Sequence, residues 1–163
     1  MELRRATQDD AAGIACVHVS SWRVAYHGMV SDVILDGLSV EPRAERWKQI
    51  LAETSEDEAT VVALLDGRVV GFCSFMPSRD EDAGERTAEV AAAYVDPEVW
   101  RRGIGSRPVA DVVDRLRERG WTEATLWVFA RNAHARGSTR RSGSSPTERR
   151  GRRTGTPGRP KSA

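Results

Sequence analysis

Residues 101–106, Arg-Arg-Gly-Ile-Gly-Ser, have the composition of a phosphate-binding loop. They lie between a strand-like run and a helix-like run, an arrangement that gathers main-chain N–H groups at the positive end of a helix. Gly103 and Gly105 have no Cβ and let an anion approach the main chain closely, while Arg101 and Arg102 add positive charge. The loop therefore predicts an anion site, and the alternative is an ordinary strand-to-helix turn with exposed arginines.

The same loop lacks two common nucleotide-binding motifs. A dinucleotide fingerprint needs a third glycine three residues after the second, and a P-loop needs a lysine directly after its last glycine. The sequence has Pro108 and Ser106 where these residues would stand after Gly105.

The spacing of apolar residues predicts the elements that must position the loop. Thr7 with Asp10 forms a capping-box pattern, after which Ile14, Val17 and Trp22 recur at helical spacing. Asp66-Gly67 is the strongest hairpin signal in the chain. In order, the predicted elements are a strand at 2–6, a helix from about residue 10, a helix at about 42–52, two strands within 59–77, a strand at 88–95, a helix at 104–119 and a strand at 123–129.

Two cysteines, Cys16 and Cys73, are too few for a disulfide framework or a metal cage, and we expect both thiols to be buried. His18 stands two residues from Cys16, a spacing that puts the two side chains on different sides of a helix. A metal site is therefore not predicted, and His18 is interpreted as a core histidine.

The charge of the chain is strongly asymmetric. Residues 1–130 carry 15 Lys and Arg against 23 Asp and Glu, whereas residues 131–163 carry ten against one. After Phe129 the sequence has no Val, Leu, Ile, Met, Phe, Tyr or Trp, so we expect a basic disordered tail from Gly137 to Ala163. A nucleic-acid arm is the alternative for this tail, but no aromatic residue is interleaved to stack on bases.

The chain shows no signal-peptide pattern and no apolar run of membrane-spanning length. These features predict a cytoplasmic protein without a membrane partner.

Three stretches together resemble the GNAT superfamily of acetyl-CoA-dependent N-acetyltransferases. They run from "LRRATQDDAAGIACVHVSSWRVAY" through "AAYVDPEVWRRGIGS" to "RGWTEATLWVFARNAHAR" and cover about residues 1–136. The resemblance implies an α/β fold with a central mixed, mostly antiparallel sheet flanked by helices, in the order β-α-α-β-β-β-α-β. It also implies acetyl-CoA as co-substrate and a small-molecule or peptide amine as acceptor.

The resemblance assigns the cofactor to one strand, the loop after it and the next helix. Its main chain would contact the pantetheine arm at Ala93, Tyr94 and Val95. The pyrophosphate would lie on Arg101, Arg102, Gly103, Ile104, Gly105 and Ser106, with Asn132 also meeting the cofactor.

An amine must lose a proton to attack a thioester, so a general base is needed. Glu89, fourteen residues before Gly103, is the candidate, because some similar proteins carry a catalytic glutamate on that strand. A solvated strand-end carboxylate is the alternative. Trp22 and Tyr26 could form a wall of the acceptor site, although their spacing fits core packing equally well.

The end of the chain departs from the family pattern. Thr139 aligns with the tyrosine that serves as the usual general acid, and the final helix and last two strands are not recognisable. Codons permitted by residues 137–144 can be chosen so that a shifted frame reads Phe-Tyr-Glu-Thr-Leu-Gly-Phe, the family motif. The sequence thus suggests a frameshift near Gly137, and an impaired enzyme or an inactive acetyl-CoA-binding module as alternatives.

Overall fold

The computed structural model describes residues 1–100 and 107–126 of the 163-residue chain. The predicted anion loop, Asn132, the frameshift region and the predicted disorder of the tail lie outside the described residues.

In the described part of the chain, five strands form one sheet, and four helices accompany it. The strands are β1 Glu2–Arg5, β2 Ala59–Leu65, β3 Arg68–Pro77, β4 Thr87–Val95 and β5 Glu123–Leu126. The helices are α1 Ala11–Ala25, α2 Asp32–Asp36, α3 Val40–Glu53 and α4 Arg107–Glu118. Short 3-10 helices cover Gln8–Asp10 and Pro97–Val99.

The strands lie in sequence order, β1-β2-β3-β4-β5. The first four pair antiparallel, whereas β4 and β5 pair parallel because α4 connects them across the sheet. The predicted mixed, mostly antiparallel sheet with flanking helices is confirmed. Within the described part of the chain, no helix has the length and apolar content needed to cross a bilayer.

The start of α1 is fixed by a buried carboxylate. The Thr7 main-chain N–H donates to Asp10 Oδ2 at 2.8 Å, as the capping pattern predicts. Arg4 donates to both Asp10 oxygens, with Nη1–Oδ2 at 2.7 Å and Nη2–Oδ1 at 2.8 Å. These contacts join β1 to the first helix.

The predicted hairpin is confirmed at Asp66-Gly67. Both residues have positive φ, 52° for Asp66 and 78° for Gly67, which matches the twist of an antiparallel pair. Leu65 and Arg68 are the last paired residues on either side.

The sheet separates two apolar layers. On one face α1 and α3 bury a cluster that includes Ile14, Val17, Trp47, Val62 and Phe72. On the other face α4 buries a second cluster that includes Val61, Cys73, Phe75, Val112 and Leu116.

Some expectations need correction. The five-residue helix α2 was not predicted, because its apolar residues Val33 and Ile34 are exposed and give no core-facing pattern. Cys16 is exposed rather than buried, since it points away from both the sheet and α3, while Cys73 is buried as expected. Helix α3 begins at Val40, two residues before the predicted start.

Candidate cofactor-binding and active site

Strand β4 carries most of the predicted site residues, and a bulge divides it. Phe75 pairs with Val90, but the next residue, Ser74, pairs with Ala92. Ala91 is therefore an extra residue on β4. Because of it, even-numbered residues of β4 face α4 before the bulge and the opposite side of the sheet after it. Before the bulge Val90 faces α4; beyond it Ala93 faces α4 while Ala92 packs with α1 and α3.

The second half of β4 has an edge that no described residue of β5 pairs with. The parallel ladder joins Thr87–Val90 to Glu123–Leu126 and reaches no further in the described part of the chain. The Asp96 N–H donates to the Val70 carbonyl at 2.9 Å. Because main-chain groups alternate along an antiparallel strand, those of Ala93 and Val95 point away from β3, toward this edge.

The Val95 carbonyl on this edge receives two side-chain donors. Ser21 Oγ of α1 donates to it at 2.9 Å, and Trp100 Nε1 donates at 2.7 Å. A carbonyl oxygen has two lone pairs, so both acceptor positions are used. The tip of β4 is thus bound from the helix above it and from the turn that follows it.

The turn after β4 is anchored by Asp96. Its Oδ1 accepts the Glu98 N–H at 3.1 Å, and its Oδ2 accepts Arg68 Nη1 at 2.9 Å. Val99 is buried against Ala63 and Val70. The turn is therefore held at three points before the chain continues toward residue 101.

Glu89 lies on β4 before the bulge and is only 3% exposed. Arg79 holds both carboxylate oxygens, with Nη2–Oε1 at 2.5 Å and Nε–Oε2 at 3.1 Å. This hydrogen bonding raises the pKa of Arg79, so its guanidinium stays cationic. The alternative of a solvated strand-end carboxylate is wrong, because the main chain places Glu89 inside the sheet and Arg79 covers it.

Sequence reasoning missed Arg79, since its loop was interpreted as a solvated acidic tip. A usable signal exists: Arg79 is the first cation in a segment, residues 78–85, that otherwise carries only acidic charges. It stands ten residues before Glu89 across a loop that returns the chain to the sheet. Such a pair is a typical hairpin-end contact.

Tyr94 joins the cofactor edge to an aromatic cluster. Trp22 Nε1 donates to Tyr94 Oη at 2.9 Å, and Tyr26 is a further hydrogen-bonding partner of the Tyr94 hydroxyl. Burial raises the pKa of Tyr94, so the phenol stays neutral. The His18 ring stacks on Tyr94 with centroids 4.7 Å apart.

His18 is a buried, neutral member of this cluster, as interpreted from the sequence. Its Nδ1 accepts Trp47 Nε1 at 3.2 Å, and burial lowers its pKa to about 3. Its Nε2 has no hydrogen-bond partner among the described residues. Its ring also contacts Trp22 and Phe72, in each case with centroids 5.9 Å apart and a tilted arrangement.

The structure brings the predicted residues of β4 together with Trp22 and Tyr26. Both aromatic side chains are buried, 3% and 6% exposed, in a cluster with Leu35 and Tyr94. Their geometry is that of core packing, and a role at the acceptor stays a prediction. Residues 101–106 and Asn132 lie outside the described part of the chain, so their placement stays a prediction too.

The edge of β4 beyond Val90, with which no described strand pairs, suits the expected acetyl-CoA. Its pantetheine arm carries amide groups, which can pair with an open strand edge as another strand would. The consecutive small residues Ala91, Ala92 and Ala93 leave room for such an approach. Among the described residues, no three potential metal-ligating side chains gather at one place.

Comparison with known proteins agrees with this geometry. A family model described as the acetyltransferase (GNAT) family matches residues 16–143. YuaI of Bacillus subtilis (strain 168), an uncharacterized N-acetyltransferase, is 32% identical over 133 residues, which are 80% of this chain and 72% of that protein.

Solved structures share the fold. The PaiA N-acetyltransferase of Thermoplasma acidophilum in complex with coenzyme A matches 86% of each chain with a TM-score of 0.69 and 19% identity. The structure of AAC(6')-Iy with the bisubstrate analogue CoA-S-monomethyl-acetylneamine covers 91% of this chain and 92% of that one, with a TM-score of 0.69 and 17% identity. The chain therefore belongs to the GNAT family of acetyltransferases, and it is an N-acetyltransferase whose acetyl donor is acetyl-CoA.

Proposed function

We propose that this N-acetyltransferase transfers the acetyl group to a primary amine of a small molecule or peptide, with Glu89 as the general base. One observation carries the proposal: a buried carboxylate lies on the same strand as an edge that no described strand pairs with and that suits the cofactor arm. Placing a base and a cofactor on one strand fixes their separation, which proton transfer during attack requires.

The cofactor arm pairs with the main chain of β4 at Ala93 to Val95, and its diphosphate lies on residues 101–106. The direction of the free main-chain groups supports the first part. The anion-binding composition of the loop supports the second, together with Asn132 farther along the chain. When bound, acetyl-CoA supplies an acyl carbon made reactive by its thioester bond.

Glu89 accepts a proton from the incoming ammonium group, directly or through water. Arg79 keeps the carboxylate oriented by holding both of its oxygens, and burial strengthens the interaction of this carboxylate with a cation. With Thr139 where similar proteins have tyrosine, water protonates the leaving thiolate.

The acceptor is a cationic amine in this proposal. The loop between β3 and β4 carries Asp80, Glu81, Asp82 and Glu85, which would attract positive charge at short range. The similar structure of AAC(6')-Iy holds an acetylneamine bisubstrate analogue, and an amine of that class is a reasonable starting acceptor. Trp22 and Tyr26 shape this side by packing under Tyr94.

An acetyl-CoA-binding module without turnover is the second candidate, because Thr139 replaces the usual tyrosine. Isothermal titration with acetyl-CoA and a thiol-release assay against an amine panel separate the two. Binding with amine-dependent thiol release supports the enzyme. Binding without release supports the module, and absence of binding by folded protein contradicts both.

We also propose that the sequence after about residue 136 is the product of a frameshift, which would end the acetyltransferase domain there. The support is that codons permitted by residues 137–144 allow a shifted frame to read the family motif. The family match to the printed sequence itself continues to residue 143. Sequencing the coding region tests this. The proposal fails if neither shifted frame encodes Phe-Tyr-Glu after Gly137.

A further inference from the structure

The two donors on the Val95 carbonyl join three separate parts of the chain. Ser21 comes from the buried face of α1, 74 residues before Val95, and Trp100 comes from the turn five residues after it. Ser21 is buried and Trp100 is half-buried, so both bonds are partly shielded from bulk water. No part of the proposed chemistry uses either side chain.

Their position matters because the Val95 carbonyl lies on the cofactor edge. With both of its lone pairs taken, this oxygen cannot accept a hydrogen bond from a ligand. The Tyr94 main chain is directed toward β3, where Phe72 is its partner. On this part of the edge, the Ala93 main chain and the Val95 N–H remain oriented to pair with an arm.

We infer that Ser21 and Trp100 are positioning residues. By occupying both acceptor positions of the Val95 carbonyl, they fix the register in which the cofactor arm pairs with β4. The inference rests on the proposed binding of the arm to this edge. A strand edge offers a repeating series of donors and acceptors, so a ligand can slip along it unless one position is closed. Ser21 and Trp100, which we call the clamp, block one such position, the Val95 carbonyl oxygen.

The same clamp gives Trp100 a function that its loop position does not suggest. Here the indole turns back to the strand it follows, and Asp96 with Arg68 holds the turn that makes this possible. The indole N–H thus acts on the end of β4.

Ser21→Ala and Trp100→Phe test the clamp, because each removes one donor and keeps most of the side-chain volume. Ser20→Ala is the matched control: Ser20 is the neighbouring serine, and its hydroxyl donates to the Val17 carbonyl at 3.2 Å. Isothermal titration with coenzyme A measures the dissociation constant, and thermal unfolding checks that each variant folds.

We expect Ser21→Ala and Trp100→Phe each to raise the dissociation constant about three- to tenfold, the effect of losing one neutral hydrogen bond. Ser20→Ala should bind as the wild type does. A second measurement is amide hydrogen exchange of Ala93 and Val95, which coenzyme A should protect in the wild type and protect less in both clamp variants.

The outcomes are distinguishable. If folded wild-type protein does not bind coenzyme A, the proposed function fails. If it binds, but both clamp variants bind equally well or more tightly with unchanged amide protection, the positioning inference is wrong. Weaker binding by Ser20→Ala to the same degree would also overturn it, since the effect would then be a general one of the helix.

Discussion

Glu89 and Arg79 form a two-point ion pair at the end of the sheet, in which each carboxylate oxygen accepts one guanidinium N–H. The carboxylate is 3% exposed and the Arg79 side chain is 38% exposed. A buried anion is thus covered by a cation that itself reaches solvent. The ion pair therefore shields the carboxylate from solvent and holds the end of β4 to the loop that precedes it.

If Glu89 is the general base, Glu89→Gln should lower kcat by about 10² to 10⁴, the usual contribution of a positioned base. The dissociation constant for coenzyme A should change little, because Glu89 lies before the bulge and away from the cofactor edge. Steady-state kinetics with an amine found in the panel, together with titration, measure both quantities.

Asp10→Asn is the matched control for this substitution. Asp10 is also a buried carboxylate with a two-point arginine partner, but it lies at the start of α1. It should lose stability without a comparable loss of kcat. Equal kcat losses in both variants, or none in Glu89→Gln, would contradict the assignment of Glu89.

The coupling between Arg79 and Glu89 should be measurable by a double-mutant cycle with Arg79→Gln and Glu89→Gln. We expect a coupling free energy of about 1 to 3 kcal/mol, less than for a fully buried pair because Arg79 is partly exposed. Urea unfolding of the four proteins gives this value. A coupling below about 0.5 kcal/mol would mean that the pair does not hold the strand end.

Asp10 should contribute stability that is lost in acid. Hydrogen bonds from Arg4 lower the pKa of Asp10, so its contribution is complete above the ordinary carboxyl pKa and disappears as the pH falls through the lowered value. Asp10→Asn should reduce the free energy of unfolding at pH 7 by about 1 to 3 kcal/mol. The neighbouring exposed Asp9→Asn should have little effect, and similar losses in both variants would refute this account.

His18 should make the protein sensitive to mild acid. Its pKa is lowered to about 3 by burial from an ordinary value of 6.5, so the unfolded chain takes up a proton before the folded one does. Stability should therefore fall as the pH drops below 6.5, by about 1.4 kcal/mol per unit, or about 2 kcal/mol by pH 5.

Urea unfolding at several pH values checks the contribution of His18. His18→Gln should flatten the curve between pH 6.5 and 5, because glutamine does not titrate there. His27→Gln is the control, since His27 is exposed. The interpretation fails if the slope survives in His18→Gln.

Gly13 should not tolerate a side chain. A Cβ at this position of α1 would lie 2.8 Å from Val69 Cγ2 and 2.9 Å from Val69 Cβ, which β3 holds in place. Gly13→Ala should lower the free energy of unfolding by about 1 to 2 kcal/mol, because overpacking exceeds the gain in helix propensity. Gly84→Ala, whose Cβ would meet Thr87 Oγ1 at 3.5 Å, should be nearly neutral, and a neutral Gly13→Ala would contradict the close contact.

Most of the architecture follows from short-range signals. Asp66-Gly67 fixes a turn through backbone conformation alone, and Thr7 with Asp10 fixes a helix start through local hydrogen bonds. Such features depend on residues that are adjacent in the sequence, which explains why they were predicted correctly. Helix α2 is only five residues long and exposes Val33 and Ile34, so the spacing of its apolar residues does not indicate a helix.

From the sequence, only the part of the candidate site that lies along one strand could be predicted. The resemblance assigned roles to Glu89 and to the edge residues of β4, and those roles stay predictions. The Arg79 partner and the Ser21 and Trp100 donors could not be predicted, because each depends on where a side chain from another element arrives after folding. The burial of Trp22 and Tyr26 likewise depends on the tertiary contact of α1 with β4.

The single extra residue at Ala91 has a consequence for how this strand can change. Its deletion would leave a regular ladder in which Val90 still lies opposite Phe75 toward α4 and Tyr94 still lies opposite Phe72 toward α1. The strand can therefore lose this one residue without exchanging its two faces. Loss of a second residue before Tyr94 would turn its side chain toward α4 and away from Trp22.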